Sequence, residues 1–259
     1  MIYIGILDTA GICPSDSRVI SKIPEDARGR VEKTKDGKER ALRAGAYLVL
    51  SELARRCYDL KNLHFFYTDG GKPYINPPEN VNNCGHLPYN MNISHDGDIS
   101  AIVLTDEDLD VGIDVQTVKE KANAEVVSKR FFEKCSALRG ESAPVLKNLA
   151  EFPKLMNKSV NILCFKYGEG EILDVPYDVF LSEKGLISAE ELCFLKKWTY
   201  LESHLKMSGE GFGGLSFFDK IADGSDCCSL NFFNKEKFYF ICVCAKEKTN
   251  LTKNDVKSV

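Results

Sequence analysis

Three side chains in this sequence combine types and spacing that suit chemistry on a charged substrate. Glu202 and Lys206 stand four apart within residues 198–206 (WTYLESHLK), so on a helix they share one face. A carboxylate and an ammonium presented together from a rigid element can hold a metal ion, accept a proton and meet a developing negative charge. Alone, the pair also reads as an ordinary surface ion pair, of the kind that contributes only ~0.3–0.5 kcal/mol. A stretch upstream shifts that balance: residues 111–116 (VGIDVQ) set Asp114 in an apolar run that otherwise reads as a buried strand.

These groups need a scaffold, and the composition supplies one. A chain of 259 residues with 44% hydrophobic content can build one large domain or two moderate ones. The formal charge of −4 and a pI near 5.7 give no electrostatic footprint for nucleic acid or an anionic membrane. An anionic ligand must therefore be met by a local basic cluster. No apolar run reaches the ~18–20 residues that span a bilayer. The N-terminus lacks the basic region and cleavage site of a signal peptide and reads as a first strand. The expected location is the cytoplasm, with the ten cysteines reduced and largely in the core. No pair has C-x-x-C spacing, and adjacent Cys227 and Cys228 are a weak zinc signal, so no structural zinc is expected.

In chain order, Pro24 opens a helical first turn, and apolar spacing predicts a long helix over residues 38–57. Arg40 and Arg43 lie near its start, where cations oppose the helix dipole and are either solvated or serving an anion. A strand at 64–67 ends in DGGKP, which presents Lys72 beside Pro73 at a hairpin tip. Residues 77–88 read as a loop. Strands at 91–94 and 99–104 are joined by a tight turn that carries His95. An acidic turn at 106–110 leads into the Asp114 strand, and a helical pattern follows at 122–134. Residues 135–185 read less clearly, mixing a helical fragment at 145–155 with a strand-like one at 160–165. Ser188-Ala-Glu-Glu is a capping-box start for the helix carrying Glu202, which ends at 209–211. Residues 238–245 form a buried terminal strand, and a polar tail follows Lys246. The fold class is α+β, with two similar-sized subdomains, 1–108 and 109–259, packed about a cleft.

The Asp114 strand and the Glu202 helix together resemble the signature pair of the 4′-phosphopantetheinyl transferases, of the larger, surfactin-synthetase-activating type that acts as a monomer. In that family a strand (I/V)-G-(I/V)-D-(I/V)-E precedes a helix W-(S/C/T)-x-(K/R)-E-(A/S)-x-x-K. The match covers residues 111–115 and then Trp198, Thr199, Glu202, Ser203 and Lys206. The G-K-P of residues 71–73 and the N-I-S-H of residues 92–95 resemble two further family motifs in the same order. Gln116 departs from the pattern where the family often has a second acid, and Leu201 where a basic residue is usual; beside the family, residues 135–185 are long and read as an insertion.

The resemblance implies a pseudo-twofold architecture and Mg²⁺-dependent transfer of 4′-phosphopantetheine from coenzyme A to a serine of an apo acyl or peptidyl carrier protein. The second product is 3′,5′-ADP. It implies coenzyme A contacts from Arg40 or Arg43 to the 3′-phosphate, from Lys72 beside Pro73 to the pyrophosphate, and from Ser94 and His95 to phosphates. Asp114 and Glu202 would be the Mg²⁺ ligands and Gln116 a minor one. Glu202 would accept the serine proton, and Lys206 would stabilise the departing phosphate. Two other readings remain open on the residues alone. One is a metal-dependent phosphohydrolase using Asp114 and Glu202 with water; the other is a non-catalytic coenzyme A-binding or interaction protein in which Gln116 and Leu201 record lost activity.

Overall fold

The computed structural model describes residues 1–67, 72–76, 89–118, 124–151, 153–177 and 186–248. The turn residues 69–71, the loop 77–88 and the tail beyond 248 lie outside the described residues.

β1 (Ile2–Asp8) is buried along almost its whole length and lies inside the first sheet between β5 and β9, with Ile2, Ile4 and Ile6 sharing one face. Two short helices, α1 (Ser17–Lys22) and α2 (Glu25–Glu32), lead to α3 (Gly37–Tyr58). The Asp36 side chain caps α3 by accepting from Glu39 N. Strands β2 (His64–Tyr67), β3 (Pro73–Asn76), β4 (Tyr89–Asp96) and β5 (Ile99–Thr105) follow, then β6 (Leu109–Thr117) and α4 (Ala124–Phe131). Next come β7 (Lys147–Asn148), β8 (Lys154–Leu155), β9 (Lys158–Gly168) and β10 (Glu171–Val175). The chain closes with α5 (Ala189–Ser208), α6 (Phe218–Ala222), β11 (Asp226–Asn234) and β12 (Lys237–Glu247).

The strands form two sheets. The first runs β10-β9-β1-β5-β4-β3-β2, with β8 paired to β9, and the second runs β6-β12-β11-β7. A shared core lies between them: Ile2, Ile4, Ile6, Ala101 and Val103 of one meet Val111, Ile113, Leu230, Ile241 and Val243 of the other. The outer face of the first sheet is covered by α3, through Val49, Leu50 and Leu53. The outer face of the second is covered by α5, through Leu201, Leu205 and Met207. The layers are therefore helix, sheet, sheet, helix, a mixed α+β fold. Both halves also share a connection order: β1-β5-β4 with α3 between β1 and β4, and β6-β12-β11 with α5 between β6 and β11.

Most sequence-predicted elements stand, with three corrections. The expected helical fragment at 145–155 is instead two short strand pairings, β7 with β11 and β8 with β9. The segment read as an insertion supplies β9 and β10 to the first sheet, β9 lying parallel to β1 from Ile2↔Val160 to Asp8↔Lys166. Burial of Val160, Cys164 and Phe165 against the β1 layer accounts for that docking. His95 lies within β4, paired with Ser100, and the turn is carried by Gly97 at φ 63°. Among the described residues no helix is long and apolar enough to cross a membrane.

Candidate functional site

Strand β4 reads N-x-N-x-S-x-D over residues 90–96, polar at every second position, with Met91, Ile93 and His95 between. With a period of two, those four side chains share one face, and that face meets β6. Ile113 N donates to Asn92 Oδ1 (3.4 Å), Val115 N to Ser94 Oγ (3.1 Å) and Thr117 N to Asp96 Oδ2 (2.8 Å). β6 is the edge of its own sheet, so these side chains satisfy N–H groups that would otherwise be buried without partners. Asn92 Nδ2 also donates to the Lys206 carbonyl (3.3 Å), tying the last turn of α5 to the same strand.

α5 approaches β6 closely because residue 112 is glycine. A Cβ there would run into the Ser203 carbonyl oxygen and lie 2.7 Å from Met207 N. The Ser188–Glu191 capping box starts α5, and Gly209, at φ 78°, ends it. With both ends fixed, the face bearing Glu202 and Lys206 is set directly over Asp114.

Asp114 is 1% exposed and fully engaged. Its Oδ1 accepts from Lys206 Nζ (2.6 Å) and Ser94 Oγ (2.9 Å), and its Oδ2 accepts from Gln116 Nε2 (3.1 Å). Lys206 Nζ also donates to Ser94 Oγ (2.8 Å). Its carboxylate thus anchors a network of three side chains at the groove. Glu202 and Lys206 line both halves of an open groove. Ser94, His95, Asp114, Gln116 and Trp198 line one half, and Lys72, Pro73, Asn92, Leu205, Gly209 and Phe212 line the other.

The remaining candidates separate by what already holds them. Arg40 donates to the carbonyls of Thr34 (2.8 Å) and Glu32 (2.9 Å), and so closes the end of α2. Arg43 pairs with Glu39 (3.2 Å), whose Oε1 also lies 3.5 Å from His95 Nε2. Of the two arginines, Arg43 therefore stands beside the groove residue His95. Burial lowers the pKa of His95 from its ordinary value; Glu39 opposes that shift, and Lys206 and Arg43 add to it. Leu201 is buried in the core beneath α5, so its departure from the family pattern falls away from the groove.

Lys72 is not the solvated tip that its turn context suggests. Only 3% of its side chain is exposed, and Nζ donates to Asp110 Oδ1 (2.9 Å) and to the Met207 carbonyl near the C-terminal end of α5. Desolvation lowers its pKa, against the pull of Asp110. Its geometry is that of a clamp between β3, β6 and α5. Lys72→Met should lower the free energy of unfolding by about 1–3 kcal/mol, because Asp110 and the Met207 carbonyl lose their donor. Denaturant titration measures this, and a variant of parental stability that binds coenzyme A less tightly would reassign the side chain to the ligand.

Two features escaped the sequence reading. The β4 side-chain ladder had a visible signal, the period-two polar pattern. The group of His204, Cys227 and Cys244, whose ligand-type atoms lie within 4.8 Å of one another, had only the weak signal of adjacent Cys227 and Cys228, because it depends on the register of β11 on β12. Among the described residues the cysteines are all free thiols. No family model matches this chain, and no curated protein matches it.

Proposed function

We propose that this chain is a 4′-phosphopantetheinyl transferase, acting as a cytoplasmic monomer on an apo acyl or peptidyl carrier protein. The observation that carries the reading is the convergence of Asp114 and Gln116 from β6 with Glu202 and Lys206 from α5 on one groove, beside Ser94 and His95. The shared connection order of the two halves supports the pseudo-twofold arrangement of two subdomains that goes with it.

The groove's donor set suits a hard cation: two carboxylates and an amide offer oxygen, and Asp114 Oδ1 already holds a positive charge, the Lys206 ammonium. Mg²⁺ held by Asp114 and Glu202, with the Gln116 amide as a third donor once turned, would neutralise charge on the coenzyme A pyrophosphate. The chain's own groups do the rest. His95 and Arg43 form the polar rim that meets the nucleotide phosphates. Ser94 holds Asp114 in register and acts as a positioning residue. Glu202 accepts the proton of the carrier serine as its Oγ bonds to the β-phosphorus. The bond from that phosphorus to the oxygen of 3′,5′-ADP breaks, and Lys206 stabilises the charge left on the departing phosphate.

The test is incubation with Mg²⁺, coenzyme A and a panel of apo carrier domains, read by intact mass. A gain of one phosphopantetheine unit is the expected result. Cleavage of coenzyme A without carrier labelling would replace the reading with a phosphohydrolase, and binding without either reaction would make the chain a coenzyme A-binding protein.

Gln116 gives a second check. Gln116→Glu sets a second carboxylate close to Asp114, where the amide nitrogen now lies at 3.1 Å. Without divalent cation the variant should melt below the parent. With Mg²⁺ it should gain more than the parent, since one added charge a few ångströms from the ion contributes on the order of 1 kcal/mol even when screened as in water. Thermal melts with EDTA and with Mg²⁺ measure both, and identical Mg²⁺ responses would place the ion elsewhere.

A further inference from the structure

On the far side of α5 from Lys206, His204 lies over a cluster of thiols. Strands β11 and β12 pair antiparallel, and their register sets Cys227 directly opposite Cys244. The two sulfurs are 2.9 Å apart, with Cys227 donating to Cys244. Directly opposed residues of an antiparallel pair have Cα atoms ~4.5–5.5 Å apart, inside the range a disulfide bridges. The neighbouring thiols lack this match: Cys242 faces Ser229 and Cys228 faces Val243.

We propose that Cys227 and Cys244 form a reversible dithiol–disulfide pair that is oxidised by hydroperoxides.

The two sulfurs have different environments and therefore different tasks. Cys227 is half-buried, whereas Cys244 is fully buried, so an oxidant from solvent meets Cys227 first. Around Cys227 Sγ stand the Cys244 thiol, His204 Nε2 at 3.4 Å and Ser225 Oγ at 3.9 Å. His204 Nδ1 faces the Tyr200 carbonyl at 2.7 Å, which fixes the ring. Hydrogen bonding with Cys244, opposed by burial and helped by His204 and Ser225, holds the Cys227 thiol down at about 6. Burial pushes Cys244 well up. Cys227 is thus the thiolate that attacks, and Cys244 the thiol that resolves.

The chemistry balances with one hydroperoxide. The Cys227 thiolate attacks the near peroxide oxygen; an S–O bond forms, the O–O bond breaks and the leaving hydroxide takes a proton, giving sulfenic acid and water. The Cys244 sulfur then attacks Cys227 sulfur. The S–O bond breaks, and the hydroxide leaves as water with the Cys244 proton. Two thiols and hydrogen peroxide become one disulfide and two waters. The sulfurs need to close from 2.9 Å to ~2.05 Å, within reach of side-chain rotation.

The experiment treats the folded full chain with dilute hydrogen peroxide, alkylates the remaining thiols and maps the peptides. The expected result is a Cys227–Cys244 cross-linked peptide, reversed by dithiothreitol and formed about tenfold faster than oxidation of exposed Cys13. In Cys244→Ser, Cys227 sulfenic acid should accumulate and be trapped by dimedone; should that variant not fold, the parent's cross-link and its rate relative to Cys13 stand as the test. Three outcomes would overturn the proposal. They are Cys227 and Cys244 remaining alkylatable after Cys13 is oxidised, a cross-link through Cys228 or Cys242 instead, or stoichiometric zinc released when the cluster is alkylated.

Discussion

Gly112→Ala should unfold at a much lower urea concentration than the parent, losing about 3 kcal/mol or more. Ordinary overpacking costs ~1–3 kcal/mol because side chains can shift to make room. Here the obstructing atoms are backbone: the Ser203 carbonyl oxygen, and Met207 N at 2.7 Å from the added carbon. Relief requires the whole of α5 to lift from β6. That motion would break the Asn92 bond to the Lys206 carbonyl and draw Lys206 away from Asp114. The fold penalty and the site penalty are therefore coupled, and Gly112→Ala should lose both stability and any Mg²⁺ response. Gly29→Ala is the control, since a Cβ at that helix position meets nothing within 4 Å. Equal midpoints for the two variants would show that α5 does not rest on β6 as described.

Asp114→Asn and Glu202→Gln should each lower phosphopantetheine transfer by about 10²–10³-fold, the usual scale for removing one group that meets transition-state charge. The two should differ in everything else. Asp114 is buried beneath Lys206, Ser94 and Gln116, so its amide leaves the ammonium without a counter-charge and also lowers stability. Lys206 is 28% exposed at the side chain, so water offsets part of that loss and the melting temperature should fall by only a few degrees. Glu202 lines the open groove, where water can solvate the amide, so its melting temperature should fall by less than that of Asp114→Asn. Rates at saturating Mg²⁺ and coenzyme A, with melting curves alongside, give both readouts. Parental rates in both variants at limiting Mg²⁺ would remove the metal site from the proposal.

The candidate site was legible where chemistry and local pattern coincide. Asp114 stood out because a carboxylate interrupts an apolar strand, and Glu202 with Lys206 because helical spacing pairs them. The capping box at Ser188 fixed the start of α5 to the residue. What the local pattern could not show is which side chains the fold already occupies. Lys72 looked like a loop tip because its partners, Asp110 and Met207, are 38 and 135 residues away. Arg40 and Arg43 could not be ranked until α2 packed back on the start of α3 and took one of them. The strand-like fragment at 160–165 lies within β9, but its docking was hidden because a parallel strand finds its partner across the chain, here β1 at the N-terminus, and β10 was missed with it. The cysteine pair is invisible for the same reason: no spacing rule links residues 227 and 244 without the hairpin register.

The side chains that β4 extends to β6 tie the two sheets together beside the groove. Each bond joins residues 21 apart, so the two strands run parallel in a fixed frame. Swinging the sheets apart would break three amide hydrogen bonds, two of them buried, at ~1–3 kcal/mol for each donor left unpaired. Access to Asp114 must come instead from side-chain exchange: Lys206 and Gln116 turn aside while the strands stay in place. A cation arriving there competes with an ammonium already present, so entry swaps one counter-charge for another. Such an exchange should weaken as ionic strength rises, and the backbone on either side should remain still throughout.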